Sequence, residues 1–295
     1  MTLNTGRYRD HWHTMTRTGL SPKLARHREE PLVEVHPDDA AALALTDGGL
    51  ARVATPQGDS LFRVRLTDTQ RRGELFTPIH WTDRTASGGR TGLLPRPLAD
   101  PVSGQPGFKA TPARIAAVAS DWRGFVILAG EAPARPACLW ATRVAVPCGT
   151  AWDLAGDGDP AALDALLPAG ERLEAIDASR GTRRVAILRD GRLVAALFVT
   201  RDGTLPPRDW LVAQLAEPQA APTLLAGRAP GAQVDRGPIV CACFDVGLKT
   251  VLAAIADRHL ADVAAIGSAL KAGTNCGSCR PALARLLQKG ATHAA

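Results

Sequence analysis

The residues best placed to do chemistry are four cysteines in two close pairs, Cys241-x-Cys243 and Cys276-x-x-Cys279. Thiolates from two loops can converge on one soft metal centre, and all-sulfur ligation narrows the occupant to zinc or an iron–sulfur cluster. Each pair stands before a predicted helix, where free backbone N–H groups and the helix dipole stabilise an anionic group, which favours a cluster. Asn275, Gly277 and Ser278 are small enough to let the backbone approach the sulfurs. A structural zinc site is the alternative, although zinc sites usually draw on C-x2–4-C on both sides and C-x-C is tight around a single ion. Unligated thiols are the third reading, and the one that suits the two remaining cysteines, Cys138 and Cys148.

A second chemically unusual segment opens the chain. Thr5-Gly6-Arg7-Tyr8-Arg9-Asp10-His11-Trp12-His13-Thr14-Met15-Thr16-Arg17-Thr18-Gly19 mixes hydrogen-bond donors, rings and glycines with no hydrophobic period. Between Met1 and Arg28 the cations Arg7, Arg9, Arg17, Lys23, Arg26 and Arg28 face one acid, Asp10. Such an arm wants an anion. Arg presents a planar fork to phosphate oxygens, and Thr hydroxyls can hydrogen-bond a pterin or a guanine edge. Nucleic acid is the common generic partner of such an arm, but this one has no Lys/Arg block, and on composition a phosphate-bearing cofactor fits equally well. A disordered tail is the plain alternative.

Composition sets the outer limits. With 295 residues, 45% of them hydrophobic, the chain can bury two or three cores. Its net charge is +6 and its aromatic content 4%. No run approaches the ~20 apolar residues of a membrane span. The polar stretch from Met1 to Asp10 has no signal-peptide core, and the cysteine usage is not that of a secreted disulfide scaffold, so a cytoplasmic protein is expected.

These segments need elements to position them. Residues 1–30 read as irregular. Leu32 to His36 alternates as a strand, and Pro37-Asp38-Asp39-Ala40 opens a helix that ends at Asp47-Gly48-Gly49. Strands follow at Leu50–Thr55, Ser60–Leu66 and Glu74–His80, with a last one at Arg114–Ala119, which together suggest a small β-barrel. Residues 82–113 form a long, Gly- and Pro-rich loop, within which Ser87, Gly88 and Gly89 keep the backbone slim. Farther on, Ala161–Leu167 and Trp210–Leu215 read as short helices, and Arg183–Leu188 and Leu193–Val199 as a hairpin closed by Asp190-Gly191. Around the cysteines, Val246–Ala256, Leu260–Leu270 and Pro281–Leu287 read as helices.

Two resemblances sharpen this. Residues 239–287, from Ile239-Val-Cys-Ala-Cys-Phe to Gly273-Thr-Asn-Cys-Gly-Ser-Cys-Arg-Pro, look like the bacterioferritin-associated-ferredoxin-type domain. That resemblance implies a small all-helical fold and a 2Fe–2S cluster held by Cys241, Cys243, Cys276 and Cys279. Residues 5–120 resemble the molybdopterin-dinucleotide-binding domain of bacterial nitrate reductases, through the arm, through Val35-His36-Pro37-Asp38-Asp39-Ala40, through the late loop Asp100 to Lys109 and through Ala110 to Ile115. It implies a double-psi β-barrel and a molybdopterin guanine dinucleotide lined by Thr5, Gly6, Arg7, His11, Trp12, His13 and Thr14, with Lys109 as a further contact. Relatives often carry Asn where this chain has Gly92, which removes one expected cofactor hydrogen bond. His80-Trp81, at a strand end, reads either as a substrate-facing pair or as part of the barrel rim. The middle segment is similar to an insert of assimilatory nitrate reductases, itself like the small C-terminal domain of flavin-dependent pyridine-nucleotide reductases, and shows no catalytic constellation.

The expected protein is a multidomain α+β chain. It comprises a dinucleotide-binding barrel (1–120), a small α+β insert (121–222), a linker (223–235) and a 2Fe–2S domain (236–290). Its order of units resembles the C-terminal end of an assimilatory nitrate reductase catalytic subunit. The molybdenum and 4Fe–4S domains of that family would then be missing partners, and a flavoprotein reductase or ferredoxin the electron donor. No nucleic-acid or membrane partner and no catalytic residue are expected. A stand-alone ferredoxin-like carrier with a vestigial barrel is the second reading.

Overall fold

A computed structural model describes residues 1–87, 90–131, 135–231 and 235–292. Gly88 and Gly89, and residues 232–234 of the expected linker, lie outside the described residues. The elements of the first unit are β1 (Thr2–Gly6), α1 (Pro22–Ala25), β2 (Leu32–Val35), α2 (Pro37–Ala42), β3 (Leu50–Thr55), β4 (Gly58–Leu66), β5 (Glu74–Pro78), β6 (Thr111–Pro112) and β7 (Arg114–Val118).

The seven strands form one sheet in the order β6-β1-β5-β2-β4-β3-β7. β6 and β7 occupy opposite edges of that sheet, yet only Ala113 separates them in the chain. The sheet must therefore curl until its edges nearly meet, giving a half-barrel. Two of its pairings are parallel, β1 with β5 and β2 with β4, and the others antiparallel. Its inside is filled by Leu3, Val33, Val35, Val53, Phe62, Val64, Leu75 and Ile115, with Leu94 from the long loop as a plug. The irregular reading of residues 1–30 needs correction: Thr2–Gly6 is a strand, because its partner Glu74–Pro78 is far away in sequence and no local pattern signals that pairing.

The middle unit is more β-rich than a small α+β insert. Strands β8 (Trp122–Ala129), β9 (Trp140–Val146), β10 (Gly149–Gly156), β11 (Glu171–Asp177), β12 (Thr182–Arg189) and β13 (Arg192–Thr200) make an antiparallel sheet in the order β11-β12-β13-β8-β10-β9. β8 is buried on both faces: Phe125 and Ile127 point to one core, Val126 and Leu128 to the other. The helix α3 (Asp209–Gln214) covers the first face and a 3-10 turn, Pro160–Leu166, the second. Part of the long loop is drawn into this unit, where Arg143 N–H donates to Thr85 O at 2.7 Å and Ser87 N–H to Ala141 O at 2.8 Å.

The last unit contains β14 (Ile239–Cys241), β15 (Val246–Gly247), α4 (Leu248–Arg258), α5 (Val263–Leu270) and α6 (Arg280–Thr292). It is not all-helical. A two-stranded ribbon, β14 with β15, precedes the helices and carries Cys241. The ribbon reverses at Asp245, whose φ of +55° makes the turn tight. As a result only the second cysteine pair stands directly before a helix, α6. Among the described residues no helix is long and apolar enough to cross a membrane.

Candidate metal and cofactor site

The four cysteines meet in the core of the last unit. Cys241 and Cys279, each 2% exposed, sit with Cys243, Val246, Val251, Ile266, Ala272 and Leu283 in one apolar cluster. Cys276 is exposed at its rim. The sulfurs are arranged in two pairs, each drawn from both loops. Cys243 and Cys276 Sγ lie 3.3 Å apart, and Cys241 contacts Cys279. Gly277, with φ +74°, turns the second loop between its cysteines; a Cβ there would touch only Arg280 Cδ at 3.6 Å, so conformation rather than space demands glycine.

Burial pushes the Cys279 thiol up to about 11, helped by the neighbouring Cys241. Burial likewise raises Cys243. At Cys276 burial also pushes upward, but hydrogen bonds from the Ser278 hydroxyl, at 3.2 Å, and its amide prevail and hold the thiol below its ordinary value. Sulfurs packed like this repel one another once deprotonated, so cationic metal is what would let them ionise together. A lone tetrahedral zinc would need all four sulfurs around one point. Two contact pairs fit a two-iron centre better, with one pair for each iron.

The arm lies against this centre, which sequence reasoning missed. Arg9 Nη2–H donates to the carbonyl of Val240, next to Cys241, at 3.0 Å, and Arg9 Nε pairs with Asp10 at 3.2 Å. Leu24 of α1 packs into the cysteine core. Arg26 bridges Asp245 at 2.8 Å and Asp209 at 3.1 Å. Arg208 binds Asp153 at 2.5 Å and also Glu29, so the arm is tied to the middle sheet as well. The cations of 1–28 are expected from the sequence to face an external anion. Arg9 and Arg26 instead face acids of this chain.

The remaining predicted contacts divide into two groups. Thr5, Gly6 and Lys109 come together: Thr5 Oγ1–H donates to Phe108 O at 2.9 Å, Lys109 Nζ to Thr5 O, and a Cβ on Gly6 would lie 2.8 Å from the Phe76 ring and 3.7 Å from Lys109 Nζ. Arg7, Trp12, His13 and Thr14 form the exposed face of the arm, with Arg7 stacked over Trp12 at 5.3 Å and Trp12 edge-on to His13. Trp12 is 51% exposed, a large apolar surface left open beside a guanidinium. His11 turns the other way. Its Nδ1 meets Thr18 Oγ1 at 2.6 Å and its Nε2 meets Arg28 O at 2.7 Å, so the buried ring has no nitrogen to offer a cofactor.

His80, fully buried, is also inward-facing. It accepts from Tyr8 N–H through Nε2 at 2.9 Å and donates from Nδ1 to His13 O at 2.6 Å. These partners fix the neutral tautomer, and burial lowers its affinity for a second proton. With Trp81 packed on Tyr8 and His11, the pair belongs to the rim and clamps the arm. The late loop is an exposed turn built on Asp100, whose Oδ1 accepts from Val102 N, Ser103 N and Ser103 Oγ within 3.1 Å. Gly92 stands in open space.

Comparison with known proteins matches both halves of this arrangement. Residues 1–112 match the family described as molydopterin dinucleotide binding domain, and residues 239–289 the BFD-like 2Fe-2S binding domain. A nitrate reductase of Klebsiella oxytoca is 38% identical over 293 residues, covering 97% of this chain and 33% of its own length. The assimilatory nitrate reductase catalytic subunit of Bacillus subtilis is 34% identical over 113 residues, 38% of this chain and 15% of its own. The F420-dependent formate dehydrogenase 1 subunit alpha of Methanococcus maripaludis is 31% identical over 115 residues, 39% of this chain and 16% of its own. The chain thus spans about a third of the length of the Klebsiella relative, whereas the other two share a segment of it.

Proposed function

We propose that this chain, a homologue of nitrate reductases over nearly its whole length, is the C-terminal portion of a molybdenum nitrate reductase of nitrate assimilation. In this reading residues 1–120 form a double-psi barrel that holds one end of a molybdopterin guanine dinucleotide, and residues 236–290 hold a 2Fe–2S cluster through Cys241, Cys243, Cys276 and Cys279. Residues 121–222 are a spacer or docking unit, and 223–235 a linker. The observation that carries the proposal is the contact of Arg9 with Val240 O at 3.0 Å, which joins the dinucleotide-binding arm to the first cysteine loop. Domain matches alone would allow two independent modules.

A 2Fe–2S cluster, when bound, takes up and releases one electron at a time. Around it, Cys276 at the surface gives an outside donor access, while Cys241 and Cys279 are buried in the core that Leu24 of the arm packs against. On the arm, Arg7 can pair with a phosphate and the Trp12 ring can lie against a flat heterocycle. Thr5, Gly6 and Lys109 shape the backbone next to them. The molybdenum and 4Fe–4S domains of the complete enzyme would complete the dinucleotide site and reduce nitrate to nitrite, using two electrons and two protons and releasing water. The donor would be a flavoprotein reductase or a ferredoxin in the cytoplasm.

The test is made on the purified chain, co-produced with the cofactor-synthesis machinery. It should be coloured, contain iron and acid-labile sulfide in equal amounts, give an electron-paramagnetic signal on reduction, and release a guanine nucleotide on acid hydrolysis. It should not reduce nitrate by itself. A colourless preparation with one zinc per chain would overturn the cluster assignment. A coloured one that never carries guanine nucleotide would favour a ferredoxin-like carrier with a vestigial barrel.

A further inference from the structure

The iron–sulfur reading of the four cysteines is the premise for a second inference, which concerns residues outside the cysteine unit. Arg9 and Asp10 are neighbours on the arm, only 25% and 5% exposed at their side chains, and paired at 3.2 Å. They are set against the cysteines. Arg9 reaches the backbone of Val240 at 3.0 Å, one residue from Cys241. Asp10 is placed there by its pairing with Arg9. The third titratable group here, His27, lies 3.8 Å from Asp10. Burial, and then Arg9 and Arg28, hold it down to about 4, so it adds no charge at neutral pH.

A two-iron centre with four thiolates is anionic, and reduction adds one more negative charge. A fixed cation beside it favours the reduced form, a fixed anion opposes it, and both effects are larger where water is excluded. We propose that Arg9 and Asp10 set the reduction potential of the four-cysteine centre in opposite directions, Arg9 raising it and Asp10 lowering it. Neither lies within residues 239–289, which match the cluster-binding family. The potential is then a property of the docked arm, and the dinucleotide-binding segment takes part in tuning the centre that feeds it.

The experiment uses the full chain with R9Q, R9K and D10N. Iron content and visible absorption come first, then a redox titration followed by electron-paramagnetic resonance. R9Q should titrate at lower potential than the parent and D10N at higher, both with full iron, and R9K should restore most of the R9Q shift. Superimposed titrations with full iron overturn the inference. So does R9K behaving like R9Q, since the Val240 contact and not the charge would then be responsible. If R9Q fails to hold a cluster, D10N decides: an upward shift supports the inference, and no shift or a downward one overturns it. Absence of a cluster from the parent itself is a different outcome, and it overturns the iron–sulfur premise.

Discussion

The imidazole of His80 holds two points of the arm at once, accepting from Tyr8 N–H at 2.9 Å and donating to His13 O at 2.6 Å. His80→Ala leaves a buried N–H and a carbonyl without partners, each costing about 1–3 kcal/mol. The expected loss is roughly 2–4 kcal/mol of stability, read by thermal or urea melts, with faster proteolytic nicking between Arg7 and Arg17. Wild-type melting and unchanged nicking would show that the clamp is not needed.

The sulfur pairs make a second prediction. Cys241→Ser and Cys276→Ser, one from each pair, should both abolish bound iron or cut it severely, while Cys138→Ser and Cys148→Ser should leave iron content and the visible spectrum as they are. Retention of full iron by the Cys241 and Cys276 variants together would remove the four-sulfur site. Cys138 lies at the edge of the middle core, with its thiol on Trp140 O at 3.1 Å.

Glu29 gives a pH dependence. Burial lifts its carboxyl from 4.5 to about 7, against the pull of Arg208. The folded chain holds this proton more tightly than the unfolded one, so the group's contribution to stability is complete below pH 4.5 and is lost as the pH rises through 7. Glu29→Gln keeps a neutral side chain throughout. Its stability relative to the parent should therefore improve steadily between pH 4.5 and 7 and then level off. Parallel melting curves for the two proteins across that window would contradict this.

Gly92 offers a gain rather than a loss. A Cβ built there meets nothing within 4 Å, and the position needs no left-handed backbone. Gly92→Asn should fold with stability within about 0.5 kcal/mol of the parent. If the barrel holds the dinucleotide as proposed, the added amide should raise the fraction of chains that retain guanine nucleotide after gel filtration. Lower retention would mean that this loop faces away from the cofactor.

How much of this was legible beforehand depended on whether the signal was local. The hairpin at Asp190-Gly191 was readable because both residues take positive φ, +52° and +73°, as that dipeptide favours. The hairpin between β9 and β10 was not, because its left-handed position is filled by Cys148, at φ +63°, although Pro147 and Gly149 flank it. β8 was missed for its unbroken apolar run, which lacks the alternation of a half-buried strand, and β11 for the opposite reason, since it is an almost fully exposed edge. The cysteine spacing revealed a metal centre but not its neighbours. Nothing near Arg9 in sequence says that it will meet Val240. Likewise His11 and His13 look equivalent in the string, yet Thr18 and Arg28 take one ring inward while the other stays exposed.

Because Ala113 alone joins the two edges of the curled sheet, closure has an order in time. β1 cannot pair until Glu74–Pro78 has been made, and its other edge waits for Thr111–Pro112. The segment that carries Thr5 and Gly6 therefore leaves the ribosome long before it has a sheet to join, and contacts this distant in sequence form slowly. The arm beyond it waits longer still, since Val240 and the cysteine core that receive Arg9 and Leu24 come later. Synthesis thus leaves an interval in which the arm is accessible from both sides, before the cysteine unit closes over one of them.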